Sequence, residues 1–333
     1  MSTSERALAA EGRRSRKPLT IAVLSFNRPD YLRMILHSLF RQVIPGDQVF
    51  LFQDGAWNPS SRTMRAQEDV IDLCVRNFTS PRATTASVDR RVFRSPVNLG
   101  IAGNYRRAEN YIFEVLACQS ALLLEDDLVL GPHYLTAVAG LLDIAAEETR
   151  IGYVSAYGDL WATLERQRAG VDRLMPMHEN WGAALTRTSW LAQKPIREQY
   201  WEFVKDIDYS QRDNAAIRAF YASLGYRCEI TSQDASRWIA CRAAGLVRIM
   251  TKTCHARYVG VIGEHSTRDF YERWKFGEST TFPEPPVVRK PCKRDIDRWL
   301  RADAAAFADG YVHAYQKPSP RASRSRRPPR RND

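Results

Sequence analysis

The three consecutive carboxylates Glu125-Asp126-Asp127 follow the apolar run Ala121-Leu-Leu-Leu124 without a break. Like charges on adjacent residues repel, so such a triplet destabilises the chain unless a cation or hydrogen-bond donors compensate it. Two readings are open. One is a solvated acidic loop. The other is a hard-cation site, in which one or two carboxylates hold Mg²⁺ or Mn²⁺ and diphosphate oxygens complete the octahedron. Two further polar groups occupy the same kind of place: Asn27-Arg28 after the apolar residues 19–26, and Asp54 after residues 48–53. His255 and His265 bracket a glycine-containing stretch, and an imidazole suits Mn²⁺, although a hydrogen-bonded loop histidine explains either equally well. The six cysteines show no C-x-x-C spacing, which excludes a zinc ribbon or a thioredoxin-like pair and fits free thiols in a reducing compartment.

These groups need a scaffold that brings strand ends together. Residues 19–26 form a β-branched apolar run ending at Asn27-Arg28-Pro29, and Pro29 opens a helix through Tyr31, Ile35, Leu36 and Leu39. A strand over 48–53 stops at the turn pair Asp54-Gly55. Helical spacing predicts a helix over 61–78, a short strand over 91–94, and a helix opened by Asn98-Leu-Gly-Ile-Ala-Gly-Asn104. Residues 121–124 read as a strand, 131–146 as a helix and 151–155 as a strand; a further strand is expected at Arg227-Cys-Glu-Ile230. Strands alternating with helices predict an α/β fold with a mostly parallel central sheet and helices on both faces. Ligands of such sheets bind beyond the strands' carboxyl ends, where all three polar groups fall. Beyond residue 160 the pattern turns irregular and aromatic-rich.

The 333 residues carry a formal charge of +11, which points to nucleic acid until it is located. Residues 1–18 hold +3 and residues 317–333 hold +6, leaving the body close to neutral. The organisation expected is a disordered basic tail over 1–18, one domain over 19–316 divided near residue 155, and a disordered Arg/Pro/Ser-rich tail over 317–333. The tails act as solubilising segments or as weak contacts with an anionic membrane, and no aromatic residue interleaves the C-terminal arginines to stack on bases. Arg13-Arg14 ahead of a short apolar run lacks the cleavage site of an export signal, and no stretch is long and apolar enough to span a bilayer. A cytoplasmic protein, peripheral to the membrane at most, is the expectation.

In order along the chain, Ser25-Phe-Asn-Arg-Pro-Asp30, Phe52-Gln-Asp-Gly55, Asn98-Leu-Gly-Ile-Ala-Gly-Asn104 and Leu123-Leu-Glu-Asp-Asp-Leu128 resemble the motifs of GT-A glycosyltransferases. Within that fold they look most like the N-acetylglucosaminyltransferase I branch and its bacterial family-2-like relatives. The resemblance spans roughly residues 19–265 and implies a GT-A (Rossmann-like) sheet with an acceptor-side second half. It further implies a nucleotide-diphosphate sugar, a UDP-sugar by preference, lying across the strand ends. Ser25, Asn27 and Arg28 would face the nucleotide or its diphosphate, and Asp54 the base. Asn98, Gly100, Gly103 and Asn104 would bring backbone close to ribose and diphosphate. Glu125 and Asp126 would belong to the same donor site, Asp126 nearer the ribose or a metal-bound water. Asp127 would ligate Mn²⁺ or Mg²⁺, joined by His265. The Asn98–Asn104 stretch is not G-x-G-x-x-G and follows Pro96-Val97 in place of an apolar strand, which argues against a dinucleotide dehydrogenase.

The second half is expected to hold a glycan or glycoconjugate acceptor, with Glu179, Asn180, Trp181 and Gly182 beside the sugars. Asp234, in Ser232-Gln-Asp-Ala-Ser-Arg-Trp238, is the expected base. Its competing reading is a helix cap, and Asp206, Asp208 and Asp213 are rival bases. The function expected is a metal-dependent, inverting hexosyl- or N-acetylhexosaminyltransferase. Its rivals are a sugar-phosphate nucleotidyltransferase, which normally carries a basic glycine-rich loop after the first strand, and a non-catalytic polyanion-binding scaffold.

Overall fold

A strand with apolar side chains on both faces is stable only when both faces are covered. Strand β1 (Thr20–Ser25) meets that condition, with Ile21, Ala22 and Val23 wholly inaccessible. The computed structural model describes residues 16–80, 88–263 and 266–308. After β1 come α1 (Pro29–Phe40), β2 (Gln48–Gln53), the two-residue strands β3 (Trp57–Asn58) and β4 (Thr63–Met64), α2 (Glu68–Thr79) and β5 (Asp89–Arg94). Helix α3 (Gly100–Asn110) runs into a π-helical turn (Tyr111–Val115), followed by β6 (Ser120–Glu125), β7 (Leu128–Leu130), α4 (Tyr134–Glu147) and β8 (Ile151–Ser155). The remainder contains α5 (Leu164–Arg168), β9 (Leu174–Pro176), β10 (Ala183–Thr186), α6 (Arg187–Glu202), α7 (Asn214–Ser223), α8 (Gln233–Ala243), β11 (Val247–Thr251), β12 (Ala256–Tyr258), α9 (Arg268–Arg273) and α10 (Lys293–Ala308).

Eight strands form one sheet in the order β5-β2-β1-β6-β10-β8-β11-β9. The pairs β5–β2, β2–β1, β1–β6 and β8–β11 are parallel, whereas β10 runs against both neighbours and β9 against β11. This is the mixed α/β fold with a mostly parallel, helix-flanked sheet that the sequence predicts. Strands β1, β2 and β6 therefore end on one edge, delivering Asn27-Arg28, Asp54 and Glu125-Asp126-Asp127 there together. Strand β10 pairs Ala183 with Leu123 and Thr186 with Ser120, so the turn that precedes it lies on that same edge. A second apolar cluster, with Ile217, Tyr221, Trp238 and Ile239 at its heart, packs the helices of the later half.

Three expectations are corrected. The helix foreseen over 61–78 begins at Glu68, because Asn58 Oδ1 accepts the backbone N–H of Ser60 and of Ser61, both at 3.0 Å, and bends this stretch into the β3–β4 hairpin. Residues 227–230 form no strand; α7 ends at Ser223 and the chain turns through Gly225, at φ +85°, straight towards α8. Finally, Arg16 belongs to the body and not to a tail: it is 8% exposed, and its guanidinium makes two hydrogen bonds to Asp47, one of them from Nη1 at 2.8 Å. Asp47, itself inaccessible, also accepts from the N–H of Leu19 at 2.8 Å and of Ile44 at 2.9 Å, tying the chain entry to β1. Residues 1–15 of the expected N-terminal tail, and the tail expected over 317–333, lie outside the described residues.

Removing one partner of a buried ion pair strands the other charge, at a cost of about 3–5 kcal/mol. Arg16→Ala is therefore expected to lower the unfolding free energy by about 3 kcal/mol in urea denaturation. A change below about 0.5 kcal/mol, the scale of ordinary surface substitutions, would return Arg16 to the tail.

Candidate active site

Apolar strand β6 leaves the core at Glu125, and the next two carboxylates remain almost inaccessible: Asp126 is 2% exposed and Asp127 6%. Arg28, at the end of β1, compensates them. One guanidinium nitrogen bonds Asp126 Oδ1, the other lies 3.2 Å from Asp127 Oδ2, and the group sits over the Tyr31 ring. The compensation is incomplete. Burial pushes Asp126 up to about 6 despite Arg28, and Asp127 is raised by the same cause. Glu125 is pushed up to about 8 by burial, then by Asp127 and Asp234, although the Tyr105 hydroxyl donates to it at 2.7 Å. The loop after β12 closes one side, with Val259 N–H donating to the Asp127 carbonyl at 2.9 Å and Ile262 N–H to the Tyr31 hydroxyl at 3.1 Å. Beside Arg28 opens a shallow hollow of about 340 Å³ lined by residues 27–31 and Ile262. Asn27 is exposed at its mouth, whereas Ser25 is buried at the end of β1.

Asp54 and the Asn98–Asn104 stretch form a second unit at this edge. Asp54 Oδ1 accepts from Leu99 N–H at 2.8 Å and Gly55 N–H at 2.9 Å, and Oδ2 from Asn98 Nδ2 at 3.0 Å. The carboxylate, 3% exposed, is thus occupied in holding the loop. Gly100 sits at φ +67°, a conformation open to glycine, with Tyr209 beside it. Gly103 packs against Leu99 and Trp201, and the buried Asn104 donates to the Phe52 carbonyl at 2.9 Å. Asp54, Gly103 and Asn104 are accordingly loop-building groups here.

The second half meets the first across β10. Ahead of that strand, Gly182 has φ +56°, and a Cβ there would lie 2.0 Å from the Tyr134 hydroxyl, which donates to the Gly182 carbonyl at 2.8 Å. Trp181 stacks flat on Tyr258, with centroids 4.3 Å apart and planes at 2°. Asn180, 3% exposed, turns away from solvent and donates through Nδ2 to Asp234 Oδ1 at 3.0 Å. Glu179 is also buried, its N–H donating to the Tyr157 hydroxyl at 2.6 Å.

Asp234 lies in the first turn of α8, but the cap is Ser232, whose Oγ accepts the Ala235 N–H at 3.3 Å. A helix preceding a parallel strand points its N-terminus at the sheet's carboxyl edge, which puts the half-buried Asp234 carboxylate in electrostatic reach of Glu125 and Asp127. Two of its three rivals are engaged elsewhere. Asp213 caps α7 through the N–H groups of Ala215 and Ala216, Asp208 caps the turn at 209–211, and Asp206 is exposed. His255 is a core histidine, wholly inaccessible, with Nε2 2.9 Å from Thr253 Oγ1; burial, and then His133, hold its imidazole down to about 3, hence neutral. His265 lies outside the described residues. Two contributors escaped the sequence reading: Tyr105, whose hydroxyl reaches Glu125 from α3, and Tyr258, the platform under Trp181. Nothing in spacing or residue type marks either one.

Among the described residues no group of three or more His, Cys, Asp or Glu is arranged to hold a metal. Asp126 Oδ2 and Asp127 Oδ1 are nonetheless buried without a hydrogen-bond partner. Hard oxygen donors of this kind fit Mg²⁺ or Mn²⁺, which need only one or two protein carboxylates where phosphate oxygens supply the rest.

No protein-family model matches the chain, and no curated protein does. Among solved structures it is similar to the crystal structure of S. aureus TarS 1–349, at 14% identity over 77% of this chain and 63% of that one, with a TM-score of 0.39. The same fragment in complex with UDP gives 12% identity over 87% and 71%, with a TM-score of 0.40. The glycosyltransferase GlyE of Streptococcus pneumoniae TIGR4 gives 11% over 86% and 60%, with a TM-score of 0.37. The chain thus spans 63% of the first of these. At such TM-scores the likeness carries no functional argument, and the geometry of the site must carry it.

Asp54 supplies a pH test. Burial pushes its carboxyl up to about 7, whereas an unfolded aspartate titrates near 4. Between those values the folded state binds the extra proton, so the contribution of Asp54 to stability is full below about pH 4 and is lost as pH rises through about 7. Melting curves across this window should show the wild type losing stability relative to Asp54→Asn as pH rises. Parallel curves would contradict the assignment.

Proposed function

We propose that this chain is a glycosyltransferase moving a sugar from a nucleotide-diphosphate sugar to a hydroxyl acceptor, with Asp234 as the base. One observation carries the reading: two buried carboxylates at the end of β6, Asp126 and Asp127, held by Arg28, share an edge of the sheet with a third, separately supported carboxylate, that of Asp234. Asp234 is relieved of capping by Ser232 and steadied by Asn180, so an oxygen remains for an acceptor proton. In the step proposed, Asp234 takes that proton as the acceptor oxygen bonds the anomeric carbon from the side opposite the diphosphate. The carbon–oxygen bond to the diphosphate breaks, the electron pair leaves with it, and the anomeric configuration inverts. Arg28 and the hollow beside it receive the donor's charged end, with Asn27 and Tyr31 on its wall. Trp181, fixed by Tyr258, gives the sugars a rigid aromatic wall, and Glu179 stands next to it. A divalent cation on Asp127 would neutralise charge on the departing diphosphate.

The deciding experiment incubates the protein with a panel of nucleotide sugars, with and without Mn²⁺. Release of nucleoside diphosphate is expected. Exchange of inorganic diphosphate in its place would mark a nucleotidyltransferase, and release of neither would remove the enzyme reading. Asp234→Asn should leave stability and donor binding intact and reduce transfer about 10²- to 10⁴-fold. Asn180→Ala, which frees the base without removing it, should reduce kcat about 10- to 100-fold, with donor KM unchanged. If both variants turn over normally, the base is another residue. Asp127→Asn is expected to abolish any Mn²⁺-dependent thermal stabilisation by nucleotide while the protein stays folded.

A further inference from the structure

Two arginines share one carboxylate where α3, α6 and α8 meet. Glu109, 1% exposed, accepts from Arg237 Nη2 at 2.7 Å on Oε1 and from Arg197 Nη2 on Oε2. Arg237 is equally buried and covers the Tyr105 ring, its Cζ 3.5 Å from the centroid. Beside this trio lies a cavity of about 30 Å³ whose wall includes Arg197, Gln233, Ser236 and Arg237. The other charges on the wall are cancelled locally, since Arg106 pairs with Glu198 at 2.8 Å and Lys194 pairs with Glu114. The trio keeps one positive charge in surplus. Asp234 acts on Arg237 through space, while its Oδ1 is engaged by Asn180. Nη1 of Arg237 and Nη1 of Arg197 are both buried and donate to no protein group. Gln233 Oε1 is likewise unpartnered, and an amide of this kind can turn to present its NH₂.

Buried donors are rarely left unsatisfied, and a buried surplus of charge is costlier still. We propose that this cavity is a binding site for a small monovalent anion, chloride, held between Arg197 and Arg237. Its volume exceeds the roughly 10–15 Å³ that a water-sized group needs, and so admits a halide. Arg197, whose side chain is 14% exposed, provides the way in from solvent. The inference stands apart from the glycosyltransferase reading, because it concerns the trio and not the sheet edge.

The test is thermal melting of the full chain in sodium chloride against sodium gluconate at matched ionic strength. Chloride should raise the melting temperature saturably, by about 2 °C or more. Arg197→Met keeps the Glu109–Arg237 pair but removes the surplus charge, and should make the two salts equivalent. Crystals soaked in bromide should show an anomalous peak between the two arginines, a measurement that does not depend on the variant folding. Coincident wild-type curves, a salt difference that survives in Arg197→Met, or no bromide peak at this place would overturn the proposal and leave the cavity to water.

Discussion

Everything at the carboxyl edge of the sheet answers to one electrostatic problem: β6 delivers two buried aspartates to a place where, among the described residues, Arg28 is the cation paired with them. A guanidinium can satisfy two carboxylates through its fork of donors, and here it does so with one oxygen of each. The other two oxygens stay buried and unbonded, and burial still outweighs Arg28 in raising both groups. Such a centre is stable enough to fold and is also predisposed to take up positive charge. The same imbalance reaches Glu125, where the Tyr105 hydroxyl is the protein's response.

The frame of the first half was legible in the sequence because its strands are buried on both faces and therefore read as unbroken apolar runs. Runs at 19–26, 48–53, 121–124 and 151–155 all became strands at those places. The misreadings have local causes. Met64, Val70 and Val75 fall at helical spacing, but the Asn58 side chain captures the backbone ahead of Glu68, a contact that periodicity does not encode. Arg16 sits in a basic stretch where one arginine resembles another, and only the distant Asp47 singles it out.

The roles of site residues were less legible than their presence. Asp54 stands at the expected strand end, yet its oxygens are taken by the loop from Asn98 to Leu99. Asn180, expected beside the acceptor, donates to Asp234, 54 residues further on. The ion pair between Glu109 and Arg237 spans 128 residues. Residue type makes such partnerships chemically sensible, but the packing of α3, α6 and α8 decides them. Cap assignment is the reverse case: Ser232 and Asp234 are both good capping residues, and which one caps depends on where the helix starts within two residues.

Strand β10 is the one element that enters the sheet's centre from the edge where the carboxylates lie. A parallel strand can tolerate a longer or shorter loop at its exit, because its register is already set when the loop begins. Here the order is inverted. The turn at 179–182 comes first, and Ala183 directly after it meets Leu123. A one-residue slip of β10 against β6 would turn Ala183, Ala184 and Leu185 over to the opposite faces of the sheet. The register of β10 therefore rests on its pairing with β6, and variation at this edge falls to the turn and the segments around it.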